Sequence, residues 1–146
     1  MPMRYRDYNW KLLFSTYLHG ISWTTFFSSL QDSGPTVILI RDSQGNSFGG
    51  YASQEWTPNT GFYGTGESFV FSIKPKLECY QWTAKNDYFM YTASNSIGMG
   101  GGGSYSFFID TDMSVGVTGK SVTFDNEPFT SNPQFICECM EVWSFV

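Results

Sequence analysis

Basic residues are scarce in this chain and nowhere gathered. Eight Lys and Arg stand against thirteen Asp and Glu in 146 residues, for a net charge of −5. Apart from Arg4/Arg6 and Lys74/Lys76 the cations are scattered singly. A nucleic-acid phosphate backbone calls for a stripe of cations, so nucleic acid is set aside as a partner. A basic helix lying on a membrane surface is set aside on the same ground. Long apolar runs are missing too. Nothing approaches the ~20 residues of a spanning helix, and the opening MPMRYRDYNW has no signal-peptide core, so no membrane insertion is expected.

Histidine occurs once, at His19, which excludes a multi-histidine metal site and leaves one imidazole base. The three cysteines, Cys79, Cys137 and Cys139, are an odd number without framework spacing. Reduced thiols and a cytoplasmic setting are expected from that count, with no disulfide, metal or cofactor. Cys137 and Cys139 stand two apart, and on a regular strand they would share a face.

Aromatic residues, by contrast, are abundant: 14 Phe, 9 Tyr and 5 Trp, in a chain only 14% charged. Each buried ring contributes a large apolar area, enough for one domain over residues 1–146 to fold without staples. Short apolar or alternating runs are separated by Gly, Asn, Asp and Ser. The runs predict strands at Trp10–Thr16, Thr36–Arg41, Phe48–Ser53, Ser68–Ile73, Leu77–Trp82, Tyr88–Thr92, Tyr105–Ile109 and Phe135–Phe145. Asp42-Ser43-Gln44-Gly45-Asn46 reads as a hairpin turn, and Lys74-Pro75-Lys76 and Ala84–Asp87 as two more. Strands joined so tightly are antiparallel neighbours. One helix is predicted, where Trp23, Phe26, Phe27 and Leu30 fall at helical spacing behind the N-cap Ser22. The expected class is therefore α+β, mainly β: a two-sheet antiparallel β-sandwich flanked by one or two helices.

Chemistry-bearing residues are few. A Ser–His–carboxylate set would draw on Ser15, His19, Asp42, Glu67 or Glu141, but no nucleophile elbow is present and spacing alone does not show that these converge. Asp110 and Asp112 are further acidic positions at the end of a strand-like run. Glu141 alternates onto the same face as Trp143, and Glu67 precedes the run Phe69-Val70-Phe71. Structural carboxylates that bind backbone N–H groups are the commoner case. The glycines Gly64 and Gly66, and the four in a row Gly100, Gly101, Gly102 and Gly103, resemble phosphate loops only in part, because strand-like runs rather than helices follow them. Tight turns or close approach beneath a bulky ring account for them better.

Taken in order, several stretches resemble the TLDc domain of the oxidation-resistance family. They are Trp10–Thr16, His19-Gly20-Ile21-Ser22, Gly34-Pro35-Thr36 with its run to Asp42, Phe48-Gly49 and Trp56. After them come Phe62-Tyr63-Gly64-Thr65-Gly66-Glu67-Ser68-Phe69, then Trp82, Asn86, Phe89, Gly100–Gly103, Thr123-Phe124 and Glu141-Val142-Trp143. The resemblance implies a two-sheet sandwich flanked by helices. Its structural motif residues would be Gly64, Gly66, Glu67, Gly100, Gly101, Gly102, Gly103, Glu141 and Trp143. It implies a monomeric, non-enzymatic interaction module of oxidative-stress resistance. Its expected partner is the vacuolar-type proton ATPase, bound by several members. Two alternatives stay open: an enzyme of unassigned reaction using Glu67, Asp42 and His19, and a thiol antioxidant. Members often carry a cysteine where this chain has Ser121, so no thiol role is carried over to that position. Met1-Pro2-Met3-Arg4 resembles the tail of a helical segment found ahead of the domain in other members.

Overall fold

The computed structural model describes residues 9–145, so the expected helical tail at Met1–Arg4 lies outside the described residues. Ten strands and two short helices follow one another. They are β1 (Trp10–Ser15), α1 (Thr16–His19), α2 (Trp23–Leu30), β2 (Thr36–Asp42), β3 (Ser47–Ala52), β4 (Phe69–Lys74), β5 (Glu78–Tyr80), β6 (Met90–Ala93), β7 (Ser96–Met99), β8 (Phe107–Ile109), β9 (Val115–Thr118) and β10 (Gln134–Phe145). The eight expected strands are all present; β7, β9 and α1 are additions.

All pairings are antiparallel, and β10 is common to two sheets. Its first residues, Gln134–Ile136, pair with β9, which continues through β8 and β7 to β6. From Cys137 onward β10 pairs with β2, which continues through β3 and β4 to β5, while β1 lies on its other side. The two sheets face each other. Phe48 of β3 meets Phe107 of β8 with ring centroids 6.2 Å apart, and Met99 of β7 fills the space over Gly50 of β3. Phe48 also stacks on Phe129 at 4.9 Å and meets Phe135 edge-on at 5.1 Å. Burying rings of this size contributes about 1.5–3 kcal/mol each.

The helix α2 forms as its spacing requires. Ser22 Oγ accepts the Thr25 N–H at 3.2 Å, and Trp23, Phe26 and Leu30 turn inward. Phe26 packs edge-on against Phe14 of β1 at 5.3 Å, and the Trp23 indole donates to Thr111 O at 3.0 Å. The helix thus closes the side of the sandwich next to β1.

Two expectations need correction. The Ala84–Asp87 turn does not make β5 and β6 neighbours; they occupy opposite ends of the strand order. The intervening segment is drawn across the sandwich by Trp82 and by Thr83, whose N–H donates to Thr123 O at 3.0 Å and whose hydroxyl donates to Val122 O at 2.8 Å. Nor do Cys137 and Cys139 share a face. Cys137 pairs with Asp42 and Cys139 with Arg41, so Glu138 is an extra, bulged residue that reverses the alternation. Cys137 therefore joins the sandwich core with Met140 and Val142, while Cys139 lines an outer cleft with Leu39, Arg41 and Glu141.

Candidate functional site

The motif glycines gather at one end of the sandwich, and all but Gly103 are hemmed in by neighbours. Gly66 has the Trp82 ring directly over its α-carbon, Gly64 lies against Phe89, and Gly101 lies under Tyr88 and Phe62. Gly100 turns at φ +81° against Ser106 and Ser121, where a side chain would collide with both. Gly102, at φ +82°, is wedged between Asn86 and Val122 in the same way. Gly103 has open space around it and is needed only for its left-handed backbone, at φ +99°.

The hydrogen bonds of this loop are spent internally. Thr123 Oγ1 accepts the Gly101 N–H at 3.0 Å and donates to Asn86 Oδ1 at 2.6 Å, while the Trp82 indole donates to Asn86 O at 2.7 Å. Beneath them Ser106, Ser121 and Asn126 are fully buried, and both hydroxyls donate to Asn126 Oδ1, at 2.7 and 2.8 Å. Tyr63 pins the irregular segment after β3: its hydroxyl donates to Glu55 O at 3.0 Å and accepts the Thr57 N–H at 3.0 Å. Burial pushes the Tyr63 phenol above its ordinary pKa. The loop is a packed corner followed by a strand, without the helix that a phosphate cradle uses.

Only part of a conceivable catalytic set comes together: Ser15, His19 and Glu141 are neighbours, whereas Asp42 and Glu67 stand at opposite ends of one sheet. Asp42 is buried at the end of β2, where Oδ1 accepts the N–H groups of Gln44 (3.0 Å) and Asn46 (2.7 Å) and Oδ2 accepts Asn46 Nδ2 (2.8 Å). Its carboxylate is consumed in shaping the hairpin. Glu67 is exposed near the opposite end of the same sheet, just before Phe69, which pairs with Tyr51. The length of β2, seven residues, separates these two ends by roughly 20 Å at about 3.3 Å per residue. His19 ends α1, and its Nδ1 accepts the Ser15 N–H at 2.9 Å. Ser15 itself is the cap of α1, its hydroxyl accepting the Tyr17 N–H at 3.2 Å. Glu141 pairs with Ser15 across β1 and β10, and its Oε1 accepts the Trp143 indole N–H at 3.2 Å, so the expected shared face of Glu141 and Trp143 is present. Asp110 Oδ1 accepts the Asp112 N–H at 3.2 Å in a turn of its own. Among the described residues no three His, Cys, Asp or Glu are placed to hold a metal ion.

The thiols are also apart from one another in kind. Cys79 is exposed on β5, whereas Cys137 and Cys139 are buried. Burial, helped by Cys139 and Asp42, pushes the Cys137 thiol up to about 12. Such a group is protonated and unreactive at neutral pH.

One surface was not legible in advance. The helix α1 buries none of its residues, and Tyr17, Leu18 and Ile21 are 71%, 72% and 65% exposed. A four-residue helix leaves no periodicity to read. Its signal in the sequence is only the cap-like Ser15 and an apolar pair in front of His19-Gly20. Among the described residues no helix is long and apolar enough to cross a membrane.

The sequence model of the TLDc domain matches residues 1–146. The chain is 34% identical over 148 residues to the MTOR-associated protein MEAK7 of Xenopus laevis, covering 94% of this chain and 32% of that protein. It is 34% identical over 147 residues to human oxidation resistance protein 1, covering 99% of this chain and 17% of that protein. Against human nuclear receptor coactivator 7 the identity is 32% over 147 residues, covering 99% and 16%. The chain thus spans a third or less of the length of these curated relatives. Match and architecture together place the chain in the TLDc family.

Proposed function

We propose that this chain is a cytosolic protein-interaction module of oxidative-stress resistance that binds the vacuolar-type proton ATPase through α1 and the bend after it. The observation that carries the reading is the exposure of Tyr17, Leu18 and Ile21 on a helix that buries nothing. Soluble domains rarely leave large apolar side chains grouped in this way unless a partner covers them. A short helix presenting apolar anchors fits a groove on a protein, and such anchors dominate binding energy when buried. The separation of Asp42 from Glu67 supports binding over turnover, as does the internal use of the Asp42 carboxylate. The name of oxidation resistance protein 1 supports the physiological setting.

The test is a binding measurement between the purified domain and the purified cytosolic sector of the proton ATPase. Wild type should bind, and the triple variant Tyr17→Ser, Leu18→Ser, Ile21→Ser should lose at least about tenfold in affinity. Its melting temperature should stay close to wild type, because exposed positions contribute within about 0.5 kcal/mol. No binding by wild type, or undiminished binding by the folded variant, overturns the proposal.

A further inference from the structure

The first turn of α1 is closed by two reciprocal hydrogen bonds, and one of them ends on the chain's single imidazole. Ser15 Oγ accepts the Tyr17 N–H, and His19 Nδ1 accepts the Ser15 N–H at 2.9 Å. The arrangement is like a capping box, with histidine in the role usually held by glutamate or glutamine. The difference matters because the accepting lone pair of an imidazole is also where it takes up a proton. To accept from Ser15, Nδ1 must be bare, so the neutral ring carries its hydrogen on Nε2. A second proton can add only at Nδ1. There it occupies the lone pair that holds Ser15 and leaves one N–H facing another. Histidine is the side chain that ordinarily changes charge between pH 5 and 8.

We propose that His19 is a proton-operated clasp on α1, holding the turn closed when neutral and releasing it when protonated. Among the described residues little else fastens the helix. Its remaining described anchors are Thr16 Oγ1, which accepts the Met140 N–H at 3.2 Å, and the stacking of the His19 ring on Phe14 at 5.8 Å. The helix packs against β1 and β10. The titratable groups on these elements are Tyr17 on α1, Lys11 on β1, and Cys137, Glu138, Cys139 and Glu141 on β10. Glu138 pairs with Arg41 at 3.6 Å and Glu141 accepts from the Trp143 indole. Among the described residues no carboxylate is ion-paired with His19, so no ion pair takes over when the Ser15 bond is lost. Acidification then loosens the surface formed by Tyr17, Leu18 and Ile21. That consequence rests on α1 being the contact surface; the clasp itself does not.

The experiment follows the Ser15 amide and the His19 ring by NMR on the free domain from pH 8 to pH 5. Protection of the Ser15 amide from exchange, corrected for the intrinsic pH dependence, should fall roughly fivefold with the same midpoint as the His19 ring signals. This is the size expected for one neutral hydrogen bond. In His19→Gln, whose amide oxygen accepts but does not titrate, protection should stay flat across the range. A Ser15 amide indifferent to His19 titration, or an unchanged pH response in His19→Gln, overturns the clasp. Should His19→Gln fail to fold, coincidence of the two midpoints in wild type decides the matter. Because no partner is present in this experiment, failure here is distinct from failure of ATPase binding.

Discussion

Trp82 packs its indole ring directly on the α-carbon of Gly66, leaving no room for a side chain between them. The ring is held by its donation to Asn86 O and by an edge-on contact with Phe89 at 5.2 Å. Gly66→Ala must push the indole off this seat. We expect a loss of about 1–3 kcal/mol, the usual result of overpacking, with a change in tryptophan fluorescence. Gly61→Ala is the control: a Cβ there meets nothing and the backbone is not left-handed. Thermal melts should show Gly61→Ala within about 0.5 kcal/mol of wild type. Equal melting of the two variants would contradict the close-approach account.

Asp42→Asn should behave as a structural lesion. Its carboxylate satisfies two backbone N–H groups and the Asn46 amide in the β2–β3 hairpin. An asparagine keeps one carbonyl oxygen and turns an amide toward the Asn46 donor. Losing the charge-assisted bond to the half-buried Asn46 costs roughly 1.5–3 kcal/mol, which denaturant titration reads directly. A variant of full stability that abolishes some measured turnover would restore the enzymatic alternative.

Cys137 titrates far from neutral pH, and the consequence has a definite sign. Its folded pKa is raised to about 12 by burial, from an ordinary value of 9.0. The thiolate therefore forms more readily in the unfolded chain. The stabilising contribution is complete below about pH 9 and lost as pH rises toward 12, with a slope of at most about 1.4 kcal/mol per pH unit. Cys137→Ala should flatten that alkaline slope in denaturant melts. At pH 8, a thiol reagent should modify the exposed Cys79 quickly and Cys137 only upon unfolding. Rapid labelling of Cys137 in the folded protein would revive a thiol antioxidant role.

How far the fold could be read from the sequence depended on how much each residue run revealed locally. The strands β2, β3, β4 and β10 carry six or more residues each, and their apolar content and turn chemistry were sufficient. The strands β7 and β9, Ser-Ile-Gly-Met and Val-Gly-Val-Thr, are four residues long with a glycine inside. Their pairing supplies what propensity withholds: Gly116 is flat against Phe135, and Gly98 against Tyr105 and Phe108. The bulge at Glu138 was equally invisible, since only the partner strand shows that one residue is surplus. At the candidate site, the glycines and Trp82 were recognisable as a motif, but the ring seated over Gly66 joins positions sixteen apart. The exposed helix α1 lies below the length at which periodicity speaks at all.

The sharing of β10 between both sheets has a consequence for how the protein comes to be made. A ribosome delivers β2 long before Gln134–Phe145, and β9 shortly before, so during synthesis each of them presents a bare edge where β10 will later lie. Neither sheet can be completed in instalments; both wait for the same twelve residues. Folding therefore hinges on contacts far apart along the chain, a slow class of event, and the unfinished chain carries aromatic-rich strands open to pairing with other molecules. Translation that halts between β9 and Gln134 releases two unfinished sheets at once, a product for chaperones and proteases rather than a smaller version of the domain.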